Sequence, residues 1–334
     1  MINLKILNEQ ELLIAKKELD KGNLVIFPTE TVYGLGANAL DSTAVDKIFK
    51  TKNRASNNPL IVHLKNKEEI GKYAIINNDI ERLLIDKFMP GPFTLILQKK
   101  DIIPSNVTCN MDTVGIRIPI DPIAHELLDM LDYPIAAPSA NVSTKPSGTR
   151  VVDIINEFER KVNYIIDGGE SRIGLESTVC KVIDGIPTIL RPGFITKEDI
   201  MNAVGIVKVD DNIFKKVTGK VESPGMKYRH YAPSSKSLLI CSQKKDELIN
   251  CFKENATKDS VIIGSSKLKN IACKKYLYYG DTLEEISHNI FKLLRLADTY
   301  KPDIILIEGV NKNGLGLAIM NRLVRACSYN YIER

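Results

Sequence analysis

The chain has 334 residues, 44% of them hydrophobic and 26% charged, the make-up of an ordinary globular protein and enough length for two domains with cores of their own. The 46 basic and 41 acidic residues leave a net charge of +5, which allows an anionic ligand without demanding a nucleic-acid surface. No apolar run approaches the ~18 residues of a membrane helix. The start carries no signal-peptide core, and Cys109, Cys180, Cys241, Cys251, Cys273 and Cys327 include no Cys-x-x-Cys pair, so metal and disulfide frameworks are disfavoured and a cytoplasmic setting is expected.

In chain order, Asn8 and Glu11 form a capping-box pattern for a helix ending at Lys21, with Gly22 as its C-cap. A strand over residues 23–28 leads into Pro28-Thr-Glu-Thr-Val-Tyr-Gly-Leu-Gly36, read as a loop whose backbone approaches a ligand. Next come a short helical pattern at Ala44, Val45, Ile48 and Phe49, a basic loop with Lys50, Lys52, Arg54, Asn57 and Asn58, and the strand Leu60-Ile61-Val62 ending at His63. Alone, that stretch reads as a solvated loop and a core histidine. Cations and amides beside a rigid strand are also what a polyphosphate needs.

A helix over 79–89 stops at Pro90-Gly-Pro92, and strands follow at 93–98 and 113–119. The second strand sets Arg117 between Ile116 and Ile118, either at an exposed edge or as a carboxylate fork facing a site. After a helix (123–131) and a strand (135–137), the loop Pro138-Ser-Ala-Asn through Gly148 offers hydroxyls and an amide. A helix is expected at 151–161, a strand at 164–167, a hairpin around Asp184-Gly185 with a loop longer than two residues, and a helix at 197–204.

Residues 206–235 show little periodicity and read as a linker between a first domain, 1–205, and a last one, 236–334. From Ser237 strands and helices alternate. The longest helix, 281–300, is expected to be capped by Asp281 and Glu284, and the pattern implies a small α/β domain with a mainly parallel sheet. Its Gly264 and Gly309 loops lack the GxGxxG fingerprint, so no dinucleotide site is inferred there.

Taken in order, Pro28-Thr-Glu-Thr-Val-Tyr-Gly-Leu-Gly, Lys52-Asn-Arg, Asn58-Pro-Leu-Ile-Val-His, Pro90-Gly-Pro-Phe-Thr-Leu, Arg117-Ile-Pro, Pro138-Ser-Ala-Asn, Glu176-Ser-Thr-Val and Arg191-Pro-Gly resemble the YrdC-type domain of threonylcarbamoyl-AMP synthases. His230-Tyr-Ala-Pro233 and Asn321-Arg-Leu-Val-Arg-Ala326 match the linker and C-terminal domain of the family's long form, so the resemblance covers nearly the whole chain. Met89 and Ala55 depart from the family's usual Trp and Pro at positions away from the chemistry.

The resemblance implies a mixed α/β fold: a twisted, mixed open sheet with a concave positive face, plus a small Rossmann-like domain. It also implies an enzyme that joins L-threonine, bicarbonate or CO₂, and ATP into threonylcarbamoyl-AMP and pyrophosphate. A separate tRNA threonylcarbamoyl transferase would use the product. Mg²⁺ is expected with ATP, held by phosphates and water rather than by a carboxylate cluster.

In those roles Arg117, helped by Ser177, takes the threonine carboxylate, and Thr31, His63 and Ser139 read its hydroxyl or amine. Lys52, Arg54 and Arg191 supply countercharge for the nucleotide, Lys52 and Arg54 being the candidate catalytic pair. Asn58, Thr113, Ser139, Asn141 and Ser147 hydrogen-bond phosphates or ribose, and Tyr231 lies over the nucleotide. Segment 223–234, with Lys227, Tyr228, Arg229 and His230, is expected to act as a lid. Two other readings stay open: an RNA-binding module without adenylate synthesis, and a carbamoyl-transfer domain acting on carbamoyl phosphate. Scattered cysteines count against the second of these.

Overall fold

The computed structural model describes residues 4–215, 222–223 and 231–334. Its first sheet comprises β1 (Lys5–Leu7), β2 (Val25–Phe27), β3 (Gly34–Asn38), β4 (Ile61–His63), β5 (Ala74–Ile75), β6 (Phe93–Lys99), β7 (Thr113–Arg117), β8 (Ile135–Ala136), β9 (Tyr164–Ile166), β10 (Thr178–Ile183), β11 (Ile186–Arg191) and β12 (Lys208–Val209). The second comprises β13 (Ser237–Cys241), β14 (Val261–Gly264), β15 (Lys275–Tyr278), β16 (Ile305–Glu308) and β17 (Tyr331–Glu333).

The first sheet runs β1-β9-β2-β3-β8-β4-β7-β6-β10-β11-β12, with β5 on β6, and mixes parallel and antiparallel pairs. The second, β15-β14-β16-β13-β17, is parallel throughout. Strands β14 and β16 are buried along their whole length, which explains their unbroken Val/Ile/Leu character: helices cover both faces. This is the mixed α/β architecture the sequence predicts. No helix among the described residues is long and apolar enough to cross a membrane.

Local chemistry sets the element ends. The Asn8/Glu11 capping box forms as expected. The long helix, Leu283–Thr299, has its capping box one residue later than expected: Thr282 and Glu285 make it, while Asp281 accepts from the Ser266 N–H. The hairpin at Asp184-Gly185 is tighter than expected. Both residues have positive φ (49° and 75°), so two residues reverse the chain between Ile183 and its partner Ile186.

Part of the expected loop 28–36 is strand β3, deep in the sheet between β2 and β8. A Cβ on Gly36 would lie 2.8 Å from Ile135 and 2.9 Å from the Phe27 ring, so that glycine serves cross-strand packing. Arg117 is at no edge, since β7 lies between β4 and β6.

The first sheet continues past residue 205 through β12, and the stretch after it is docked rather than loose. The Ile213 carbonyl accepts from Asn321 and Arg325 of the helix Leu315–Ala326. One apolar cluster also bridges the two sheets' territories: Val32, Ile173 and Leu175 pack with Tyr231, Phe291, Ile319 and Leu323. There Gly174, with φ +80°, lets the 170–176 loop lie on the helix Leu283–Thr299; a Cβ would come within 2.5 Å of the Ser287 carbonyl. Lys227, Tyr228, Arg229 and His230 of the expected lid lie outside the described residues.

Candidate active site

Strand register assembles the site. Thr94 on β6, Arg117 on β7 and His63 on β4 are side-by-side partners across three adjacent strands, about 4.8 Å apart per step. Ser177, just before β10, extends the row, its hydroxyl 2.8 Å from that of Thr94. A cavity of about 50 Å³ lies against this row, room for a few water-sized groups and so for a small polar molecule. Its wall includes Thr29, Arg54, His63, Arg117, Ser139, Glu176, Ser177, Arg191 and Tyr231.

Arg117 is buried, and its Nη2 donates to Glu30 Oε1 (2.7 Å) and to the Thr31 hydroxyl (2.8 Å). The guanidinium expected as an open fork is thus already paired with a carboxylate, because a buried cation needs an internal counter-ion. Its Nε, also buried, has no hydrogen-bond partner among the described residues. Thr31 stands behind Arg117 rather than on the cavity wall, bonded on its other side to Thr29. His63 does face the cavity. Burial, and then the Arg117 charge, push its imidazole down to about 3, so it is neutral at ordinary pH and offers a ring nitrogen rather than a charge.

The basic residues divide. Arg54 reaches the wall, held by the Asn58 and Pro59 carbonyls (2.9 and 2.8 Å), and Asn58 is the support under it. Arg191 wraps the Ser177 carbonyl (2.9 Å) and hydroxyl (3.1 Å); burial lowers it to about 10, which still leaves it charged. Lys52 departs from expectation. It belongs to the last turn of the helix Ser42–Lys52, is buried, and gives its ammonium to the Ser139 and Asn141 carbonyls, fastening the 138–148 loop from beneath. Burial, then Arg54, holds its pKa well below the ordinary value.

The polar residues of that loop mostly serve each other. Ser139 donates to Asn141 Oδ1 (2.6 Å), and Asn141 donates to the Val142 and Lys145 carbonyls, leaving Ser139 alone of the two on the wall. Ser147 donates to Glu176 Oε1 at 2.6 Å. Thr113 is at the far end of β7 from Arg117 and bonds Glu222, which Lys181 also pairs. Strand geometry places it about 13 Å along β7 from the row.

Sequence reasoning missed Glu30 and the partner of Glu176. Glu176 is buried on the wall, and its Oε2 accepts from Arg322 Nε at 2.9 Å, a fully buried arginine of the helix Leu315–Ala326. Burial opposes ionisation of Glu176, but the Arg322 and Arg191 charges outweigh it and lower its pKa. Arg322 also donates to the Pro192 carbonyl and sits 5.6 Å from the Tyr231 ring, which stacks on Phe291 at 5.1 Å. Tyr231 therefore lines the cavity as a wedge between the domains rather than as a surface laid open to a nucleotide. The only hints in the sequence were the motifs Glu176-Ser-Thr and Asn321-Arg-Leu, which name the residues but not their meeting.

Residues 17–193 match a protein family described as telomere recombination (Sua5, YciO and YrdC), and residues 195–328 match the threonylcarbamoyl-AMP synthase C-terminal domain. The chain is 43% identical to the threonylcarbamoyl-AMP synthase of Pyrococcus abyssi, covering 98% of this chain and 97% of that one. It is 39% identical to that of Bacillus subtilis, covering 98% and 95%. Among solved structures, P. abyssi Sua5 complexed with L-threonine superposes with a TM-score of 0.92 at 42% identity, over 99% of each chain.

Proposed function

The chain belongs to the threonylcarbamoyl-AMP synthase family and is an enzyme that makes threonylcarbamoyl-AMP with L-threonine as a substrate, and we propose that its other substrates are bicarbonate or CO₂ and ATP. The product serves threonylcarbamoyladenosine formation in tRNA, a separate transferase carrying out the later step.

One observation carries the assignment of threonine to the small cavity: a neutral imidazole and two serine hydroxyls converge beside the Arg117 guanidinium on a space of about 50 Å³. There the threonine carboxylate meets the Arg117 N–H groups that Glu30 and Thr31 do not engage, with Ser177 beside it. His63 and Ser139 read the hydroxyl or amine. Arg54 and Arg191 face the triphosphate, while Lys52 and Asn58 act one layer back by holding the loop and Arg54.

The reaction needs no protein nucleophile. A carbamate oxygen of carboxylated threonine attacks the α-phosphorus in line, the α–β phosphoanhydride bond breaks, and pyrophosphate leaves with the electron pair. The protein contributes alignment and countercharge. Magnesium enters as part of the nucleotide substrate. Glu30 and Glu176 are each held by arginine, a donor set that does not suit a resident divalent ion.

Incubation with ATP, threonine and labelled bicarbonate tests this reading. Label should enter an adenylate, with pyrophosphate released only when all three are present. Folded protein that binds threonine but yields no labelled adenylate would overturn it.

A further inference from the structure

The five parallel strands of the second sheet end together on a crevice of about 700 Å³, within the size range of small-molecule sites and remote in construction from the threonine cavity. In open α/β sheets the space beyond the carboxyl ends of the strands is where ligands bind. Here the helices beginning at Lys245 and Leu283 also bring residues of their first turns to that side.

Two polar groups on its wall, Glu308 and Ser265, are buried. Glu308 closes β16, its Oε2 accepts from the Ser265 N–H at 2.6 Å, and its carboxylate lies beside the Tyr279 hydroxyl. The Ser265 hydroxyl is buried with no partner among them at all. A hydroxyl kept this deep without a partner is costly unless something bonds to it. Gly264 keeps the Glu308 carboxylate uncovered, since a Cβ there would lie 3.0 Å from Glu308 Oε2.

The mouth carries both signs, with Lys244, Lys267, Lys312 and Arg334 beside Glu247, Asp281 and Glu333. Lys244 follows β13 and Lys267 follows β14, on either side of the strand that ends in Glu308. Lys244 pairs with Glu247 at 2.8 Å, while Lys267 is exposed and makes no ion pair with the described residues. An inorganic anion would be served by the lysines but repelled by Glu308, and an apolar ligand would satisfy neither. A free amino acid would fill only a small part of the space. A sugar hydroxyl can donate to Glu308 and accept from Ser265 while an attached phosphate reaches the mouth.

We propose that this crevice is a second binding site, for a free mononucleotide, with Glu308 and Ser265 on the ribose hydroxyls and Lys244 and Lys267 on the phosphate. The absence of GxGxxG in these loops is no obstacle, because that fingerprint serves a dinucleotide's pyrophosphate.

The test uses the full chain and AMP. Photolabelling with 8-azido-AMP and peptide mapping should place label between residues 241 and 312, and equilibrium dialysis should count a site that Arg54→Ala leaves intact. Lys267→Glu, on the exposed rim and harmless to folding, should weaken that site roughly tenfold or more, as should Glu308→Gln. Label confined to peptides within 29–191, or AMP binding unchanged in both variants, would overturn the proposal. Neither result depends on whether the first cavity makes an adenylate.

Discussion

The cavity of about 50 Å³ beside Arg117 and the crevice of about 700 Å³ beside Glu308 both lie where strands end, yet the first needs two domains and the second needs one. Every residue on the wall of the crevice comes from the last domain, so its shape follows from one sheet. The small cavity is closed by Tyr231, and its Glu176 wall is satisfied by Arg322 from the other domain, 146 residues away in sequence. Enclosing a small polar ligand means burying charges, and a buried charge needs a buried partner. The first domain supplies one such pair itself, Arg117 with Glu30; for Glu176 it borrows. The second domain therefore supports the first cavity's wall from behind and is not a passenger.

Breaking the borrowed pair should have the largest effect. Arg322→Ala leaves Glu176 buried without its counter-ion and should cost about 3–5 kcal/mol of stability, read as a lowered denaturant midpoint. A double-mutant cycle with Glu176→Gln should recover part of that loss. A single variant as stable as wild type would mean that the helix Leu315–Ala326 merely rests against the cavity.

Next, Arg117→Ala should weaken threonine binding by about 1.5–3 kcal/mol while nucleotide affinity stays within about twofold. Because the change also strands Glu30, Arg117→Ala with Glu30→Gln separates a binding loss from a folding loss. Calorimetry giving wild-type threonine affinity in the double variant would remove Arg117 from the site.

The third test uses pH on the first cavity alone. His63 titrates near 3 when folded against 6.5 when free, so between those values the unfolded chain binds the extra proton. Its contribution is fully present above pH 6.5 and is lost as pH falls toward 3, on the order of 1 kcal/mol per pH unit. Glu176, whose pKa is lowered from 4.5, loses its contribution only below that value, and buried Lys52, whose pKa is held well down, acts alike in wild type and variant, so their difference between 6.5 and 5 reports the histidine. The slope of urea midpoint against pH over that interval should flatten in His63→Gln; an unchanged slope would show that the imidazole is not held neutral by burial.

The smallest effect is expected where the first sheet meets residue 222. The Lys181–Glu222 pair is 2.7 Å long but partly exposed on both sides, so Lys181→Ala should change stability by no more than about 1 kcal/mol. A larger loss would mean that this contact, and not the Arg322 contact alone, joins the two regions.

Much of this fold was legible because its signals are local. Asn8 with Glu11 and the turn at Asp184-Gly185 each act within a few residues, and the apolar runs of β14 and β16 announce strands covered on both sides. The ordered motifs likewise pointed to the family and to Arg54, His63, Arg117, Ser139, Ser177, Arg191 and Tyr231, all of which reach one cavity. The motifs could not say which polar atoms face the ligand and which face each other. Lys52, Thr31, Asn141 and Ser147 have the same chemistry as the residues on the wall, and they lie behind it because other parts of the chain bind them first. Residue types and their local spacing determined the elements, the domains' character and the chemical inventory. Only the tertiary structure decided that Glu30 would neutralise Arg117 and that Arg322 would complete Glu176, because a buried charge takes its partner from whatever the fold brings within hydrogen-bonding distance, here 87 and 146 residues along the chain.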